Sequence, residues 1–160
     1  MANGATLLKA ANDINLGTVT ESNSQSNSRN RKNYLRTASS TDVGSQISAQ
    51  SDLTLSAGHN LNAQAADVTS EQGNLIALAG DDINLTTGEA TTQASEGHTS
   101  KKSGFLSSTK KNTRSTVDDT TNIATNFSGN QVLLQSGQDI NITGSSVVSD
   151  NGTTLNAKQH

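Results

Sequence analysis

Three acidic side chains recur in one setting: Asp13 opens Asp13-Ile-Asn-Leu16, Asp82 opens Asp82-Ile-Asn-Leu85, and Asp139 opens Asp139-Ile-Asn-Ile142. Asn60 holds the same place in Asn60-Leu-Asn-Ala63. If such segments stack as strands, the side chains form a column with a spacing of about 4.8 Å. Carboxylates that close suggest a calcium site or the acid pair of a retaining glycosidase. The simpler reading is that an outward Asp beside a chain corner caps backbone amides. Asn60 interrupts a shared acid–base role, and the Gly-Gly-x-Gly-x-Asp calcium repeat is absent. No catalytic residue, metal ligand or cofactor is therefore assigned, and a non-enzymatic chain is expected.

The other reactive side chains are scattered. His59, His98 and His160 share no metal-ligand spacing. His59 stands where Asp81 and Gln138 stand in the related segments, so a solvent-facing position is expected. A nucleophile elbow and a phosphate loop are both missing. The sharpest candidates are two basic clusters, Arg29/Arg31/Lys32/Arg36 and Lys101/Lys102/Lys110/Lys111/Arg114. Each surrounds an apolar pair, Tyr34-Leu35 in the first and Phe105-Leu106 in the second. The residues expected to touch a partner are Tyr34, Leu35, Lys101, Lys102, Phe105, Leu106, Lys110 and Lys111. Anionic glycans, lipopolysaccharide or a membrane surface are chemistries they suit. The competing reading is that the charges only keep a strand edge soluble.

The elements that must position these residues are read from repetition. Leu53-Thr-Leu-Ser-Ala-Gly-His-Asn-Leu-Asn-Ala63 is echoed by Leu75-Ile-Ala-Leu-Ala-Gly-Asp-Asp-Ile-Asn-Leu85 and by Val132-Leu-Leu-Gln-Ser-Gly-Gln-Asp-Ile-Asn-Ile142. Gly58 and Gly80 are 22 residues apart. A fixed short period means that each unit buries its apolar face by stacking on a copy of itself. Within a unit, apolar and polar residues alternate, as in Ile83-Asn84-Leu85, which is the half-buried strand pattern. Ile14, Leu53, Leu55, Leu61, Leu75, Ile83, Leu85, Leu134, Ile140 and Ile142 should all point inward. Gly58, Gly80 and Gly137 fall between two runs, where a corner needs either a left-handed or a tightly packed backbone. Asn15, Asn62, Asn84 and Asn141 form a second column, suited to an amide ladder.

Composition agrees with a stacked β-structure. Only 30% of residues are apolar and 2% aromatic, while Ser, Thr, Asn and Gln exceed two-fifths of the chain. A net charge of −3 is too small for a polyelectrolyte coil or a general nucleic-acid binder. Without Cys there are no disulfides and no thiolate chemistry. No run approaches the length of an apolar membrane span. Met1-Ala-Asn-Gly4 lacks the basic start and apolar core of a signal peptide, so the chain is read as an internal fragment with an added start Met. One solenoid unit is expected over 1–160, with coils at about 5–17, 50–86 and 129–160. Polar excursions at about 18–49 and 87–128 are too long for structureless loops and are expected to fold back as hairpins.

At Ala77-Leu-Ala-Gly-Asp-Asp-Ile-Asn-Leu85 and Leu133-Leu-Gln-Ser-Gly-Gln-Asp-Ile-Asn-Ile142 the sequence resembles the repeat region of filamentous haemagglutinins. It is most similar to the second repeat block of contact-dependent growth inhibition exoproteins, which leave the cell by two-partner secretion. The excursion from Ser100-Lys-Lys-Ser-Gly-Phe-Leu-Ser-Ser108 to Thr116-Val-Asp-Asp-Thr-Thr-Asn122 resembles that block's spacer, and Gly144-Ser-Ser-Val-Val-Ser-Asp-Asn-Gly152 resembles its following coil. The first excursion departs from the pattern, with Asn33-Tyr34-Leu35 in place of a Gly-Phe-Leu centre.

The resemblance implies an all-β, right-handed parallel β-helix (β-solenoid) with protruding β-hairpin-like excursions. It further implies a structural segment of a large secreted filament on a Gram-negative cell surface, serving adhesion or toxin delivery. The expected partners are a target-cell surface, the outer-membrane transporter that exports the parent protein, and neighbouring filaments or hairpins, with no nucleic acid. The alternative reading is a β-helix that binds or processes polysaccharide.

Overall fold

The computed structural model describes residues 4–158, so Met1–Asn3, Gln159 and His160, the last of the three scattered histidines, lie outside it. All regular structure among the described residues is β-strand. Seventeen strands follow in order: β1 (Thr6–Ala10), β2 (Ile14–Leu16), β3 (Thr18–Asn30), β4 (Asn33–Gly44) and β5 (Gln46–Ala49). Then come β6 (Leu53–Ala57), β7 (Leu61–Gln64), β8 (Asp67–Ser70), β9 (Leu75–Ala79), β10 (Ile83–Thr86), β11 (Gly88–Ser103) and β12 (Ser108–Ile123). The last are β13 (Asn126–Gly129), β14 (Val132–Ser136), β15 (Ile140–Ile142), β16 (Ser146–Ser149) and β17 (Thr153–Ala157).

Two compact units result. Among the described residues, the first holds 4–19, 42–88 and 122–158, and the second holds Thr20–Thr41 and Glu89–Thr121. In the first, strands recur in threes, and each third joins its own parallel sheet: β1-β6-β9-β14-β17, β2-β7-β10-β15 and β5-β8-β13-β16. This is a parallel β-helix. Its register is in step with the sequence repeat: Leu53 pairs with Leu75, and Ile14, Leu61, Ile83 and Ile140 form one row. The hairpins β3/β4 and β11/β12 are inserted at equivalent points of alternate coils, between the second and third strands.

Alternation sends every second residue into the interior, where Leu53, Leu55, Leu61, Leu75, Ile83, Leu85 and Leu134 are fully buried. Ile14 joins the same cluster. Two predicted core residues depart from this: Ile140 is half-buried and Ile142 is 36% exposed. Both lie on β15, the edge of its sheet, where only β10 covers them. The opposite edge strand, β2, is likewise paired on one side, by β7, yet its Ile14 stays buried.

The corner glycines are explained by close approach. A Cβ on Gly80 would lie 2.0 Å from the carbonyl oxygen of Gly58, and one on Gly137 would lie 1.8 Å from that of Gly80. Positive φ among the described glycines occurs at Gly144 and Gly152 instead. Of the two reasons that the corner admits, tight packing is the one that operates. The other buried corner is polar: Thr125 Oγ1 accepts the Ala66 amide at 3.1 Å and donates to the Thr86 carbonyl at 2.7 Å. Next to it, Ala65 is held at φ 48°.

The second unit contains a separate sheet in the order β12-β11-β4-β3. The two hairpins meet through antiparallel pairing of β4 with β11, from Thr41 opposite Ala90 to Tyr34 opposite Gly97. This sheet has few apolar side chains to bury, so backbone pairing and cross-strand polar contacts hold it together.

Candidate functional site: a cationic face on the hairpin sheet

The acidic and amide columns come first, because their geometry assigns them a role. Asp13 Oδ1 accepts the Asn60 amide at 2.9 Å, Asn60 Oδ1 the Asp82 amide at 3.2 Å, and Asp82 Oδ1 the Asp139 amide at 3.0 Å. Each side chain caps the coil that follows it. The Asn column is a continuous ladder: Asn62 donates to Asn15 at 2.9 Å, Asn84 to Asn62 at 3.0 Å, and Asn141 to Asn84 at 2.9 Å. His59 is exposed, and its Nδ1 lies 2.9 Å from Asp81 Oδ2. Gln138 Nε2 donates to the other Asp81 oxygen at 3.1 Å. These hydrogen bonds, His59 first and Gln138 second, hold the Asp81 carboxyl below its ordinary value. Such columns tie coil to coil.

The basic clusters behave differently. On β4 and β11, strand alternation and the register of the pair place Tyr34, Arg36, Gly97, Thr99 and Lys101 on one face of the hairpin sheet. Contacts agree: the Arg36 guanidinium sits 5.1 Å from the Tyr34 ring centre, and a Cβ on Gly97 would strike that ring. On β12, Asn112 accepts from Thr99 Oγ1 at 2.9 Å, which puts Lys110 and Arg114 on this face too. Leu35, Lys102 and Lys111 consequently point the other way. Phe105 and Leu106 occupy the β11–β12 turn, closed by the Gly104 amide donating to Ser107 O at 2.7 Å, and both are almost wholly exposed. The eight expected contact residues are thus divided: Tyr34, Lys101 and Lys110 on one face, Leu35, Lys102 and Lys111 on the other, Phe105 and Leu106 at the tip.

The first hairpin's turn lands beside the second hairpin. Asn30 Oδ1 accepts the amides of Lys32 at 2.9 Å and Asn33 at 3.0 Å, fixing the turn, and Asn33 Oδ1 accepts the Thr99 amide at 2.7 Å. Lys32 therefore meets Lys101 and Lys110 across a concavity of about 690 Å³, also lined by Asn30, Arg31, Asn33 and Thr99. No carboxylate is in that lining. The Lys110 ammonium is held below the ordinary lysine value, chiefly by the close approach and charge of Lys32, then by desolvation and, last, by the charge of Lys101. Sequence reading named Lys32 within a basic cluster and missed its meeting with the second cluster. The pairing of Tyr34 with Gly97 creates that meeting, and no repeat encodes it.

A hemagglutinin repeat model matches residues 28–160. The chain belongs to the hemagglutinin repeat family. Over 110 residues this hemagglutinin repeat segment is 34% identical to a protein named Deoxyribonuclease CdiA, from Dickeya dadantii (strain 3937). That stretch is 69% of the chain but 3% of the relative's length. No solved structure matches the segment. Among the described residues no three His, Cys, Asp or Glu side chains gather as metal ligands would.

Proposed function

We propose that this hemagglutinin repeat segment is a non-enzymatic stalk element of a very large secreted exoprotein on a bacterial surface, one that serves adhesion or contact-dependent toxin delivery. The observation that carries the reading is the coil-to-coil stacking. Identical rows of Leu/Ile, Asn and Gly continue from coil to coil, so length can be added without changing any contact already made. The acidic column supports the same reading, since Asp13 and Asp82 spend their oxygens on the amides of the next coil. The nuclease activity in the relative's name belongs, on this reading, to another part of that much longer protein. Export uses an outer-membrane partner transporter, and the chain folds after it emerges.

Surface contact falls to the hairpin sheet, through its cations and through Phe105 and Leu106 at the tip. The target is an anionic component of a neighbouring cell's envelope or a hairpin of an adjacent filament. Proteinase treatment of intact cells that produce the full-length parent should remove epitopes placed in this segment. Protection in intact cells with loss only after lysis would overturn the surface placement. In the same full-length protein, Phe105→Ala combined with Lys110→Gln and Lys111→Gln should weaken target-cell binding or delivery without loss of surface display. Unchanged binding and delivery across salt concentrations would remove the hairpins from the contact.

A further inference from the structure

The cations of the hairpin sheet are unequally divided between its faces, a property that neither basic cluster has as sequence. Near the tip, one face gathers Lys32, Arg36, Lys101, Lys110 and Arg114. The acids that alternation puts on that face, Glu89 of β11 and Asp118 of β12, lie further along the strands. By the same alternation, the opposite face sets Lys102 and Lys111 beside Glu96 and Asp119. If cations served only to keep the sheet soluble, both faces would be expected to look like the second.

The cations also converge at one place. Lys32 comes from a turn, Lys101 from β11 and Lys110 from β12, and all three line one concavity with no carboxylate among its walls. The frame beneath them is fixed by hydrogen bonds from Thr99 to Asn33 and Asn112 and from the turn amides to Asn30. Three like charges held together in this way repel one another, and an anion placed between them relieves that repulsion. Lysine acts on anions as a compact point charge. A phosphate monoester brings about two negative charges at neutral pH, whereas a sulfate ester brings one. A volume of about 690 Å³ lies within the usual range for small-molecule sites, and its remaining lining of Asn and Thr suits hydroxyl groups. Convergence at a point fits a terminal charged group. A linear polyanion would call for a stripe that follows its backbone.

We propose that the Lys32–Lys101–Lys110 concavity of the hairpin sheet binds the phosphate-monoester group of a phosphorylated saccharide. The proposal rests on the surface-contact reading above for its setting and stands or falls separately, because its test needs no cell. The lowered Lys110 ammonium is consistent with it, since an anion there would offset the charges of Lys32 and Lys101.

The test is a titration of the 160-residue chain at fixed ionic strength, followed by amide and lysine side-chain NMR signals. The probes are glucose 6-phosphate, glucose, glucose 6-sulfate and tripolyphosphate. Glucose 6-phosphate should give saturable shifts at Thr99, Lys101 and Lys110. Glucose should give none, and glucose 6-sulfate should bind more weakly. Lys32→Gln and Lys110→Gln should each reduce the glucose 6-phosphate affinity by about tenfold, the loss expected for one charge-assisted contact. Lys111→Gln, on the opposite face, should leave it unchanged. Circular dichroism of each variant checks that the sheet remains folded.

Absence of saturable shifts would overturn the proposal. So would equal losses for Lys111→Gln and Lys110→Gln, or shifts that follow only the total charge of the probe, with tripolyphosphate moving the whole sheet. Failure here with normal target-cell binding by the full-length protein would remove the phosphate site and leave the surface-contact reading standing.

Discussion

Phe127, in the β-helix, exposes none of its surface, whereas Phe105, in the turn of the second hairpin, exposes all of it. The chain has only these two phenylalanines, so they measure the two units against each other. Around Phe127 the backbone repeats every coil, and its row continues through Ile47, Val68 and Val147. Burial there is a consequence of periodicity. Around Phe105 nothing repeats, and the strand that follows it, β12, carries almost wholly exposed Ser, Thr, Lys and Asp. A short apolar residue count suffices when every coil reuses the same inward positions. Residues outside that scheme are released to carry charge and tip chemistry.

The largest effect should come from breaking that contrast directly. Phe127→Ala removes a fully buried ring and should cost about 3–5 kcal/mol in urea unfolding, while Phe105→Ala should change stability by no more than about 0.5 kcal/mol. Comparable losses for the two would mean that the hairpin tip is packed. A second comparison stays within the β-helix. Ile83 lies between two rows and Ile142 on an edge row, so Ile83→Ala should cost about 2–5 kcal/mol and Ile142→Ala clearly less. Equal costs would show that β15 is covered in solution.

The amide ladder gives a smaller, graded effect. Asn84 makes two side-chain bonds, to Asn62 and from Asn141, whereas Asn141 is seen to make one, to Asn84. At about 0.5–1.5 kcal/mol for each bond, Asn84→Ala should destabilise roughly twice as much as Asn141→Ala. Matching losses would place the contribution in local strand propensity.

These predictions also mark what was legible in the residues. The rows that begin with Ile14, Asn15 and Asp13 were readable because the same residue type returns at the same place in each coil. The third strand of each coil was harder. Gln46–Ala49 and Asn126–Gly129 each hold a single large apolar residue, Ile47 or Phe127, and a long hairpin separates each from the strand before it. That insertion hides the spacing that identified the other two sheets. Thr125 was missed for a related reason: a buried hydroxyl at a corner looks like any other Thr in a Thr-rich chain. At the candidate site, the residue types were visible and their grouping was not. Alternation splits Lys101 from Lys102 and Lys110 from Lys111, and only the register between β4 and β11 brings Lys32 to Lys101 and Lys110. Period-based reading stops where the period stops.

The smallest effect expected lies on the solvent side of the β-helix, where the chain is most variable from coil to coil. Asp81 joins His59 of one coil to Gln138 of another, and those bonds stabilise its ionised form, so its folded pKa lies below 3.8. A carboxyl depressed by folding adds stability above its unfolded value, and that increment is lost as pH falls through the folded one. The thermal midpoint of the parent chain should therefore exceed that of Asp81→Asn at about pH 5, and the gap should close as the pH is taken well below 3.8. The group is exposed, so solvent screens it and added salt should shrink the gap further. His59→Ala should reduce the same gap, because His59 is the largest cause of the shift. A gap that stays constant with pH would mean that Asp81 acts through shape alone. The outward positions would then contribute to coil stacking only through their backbone.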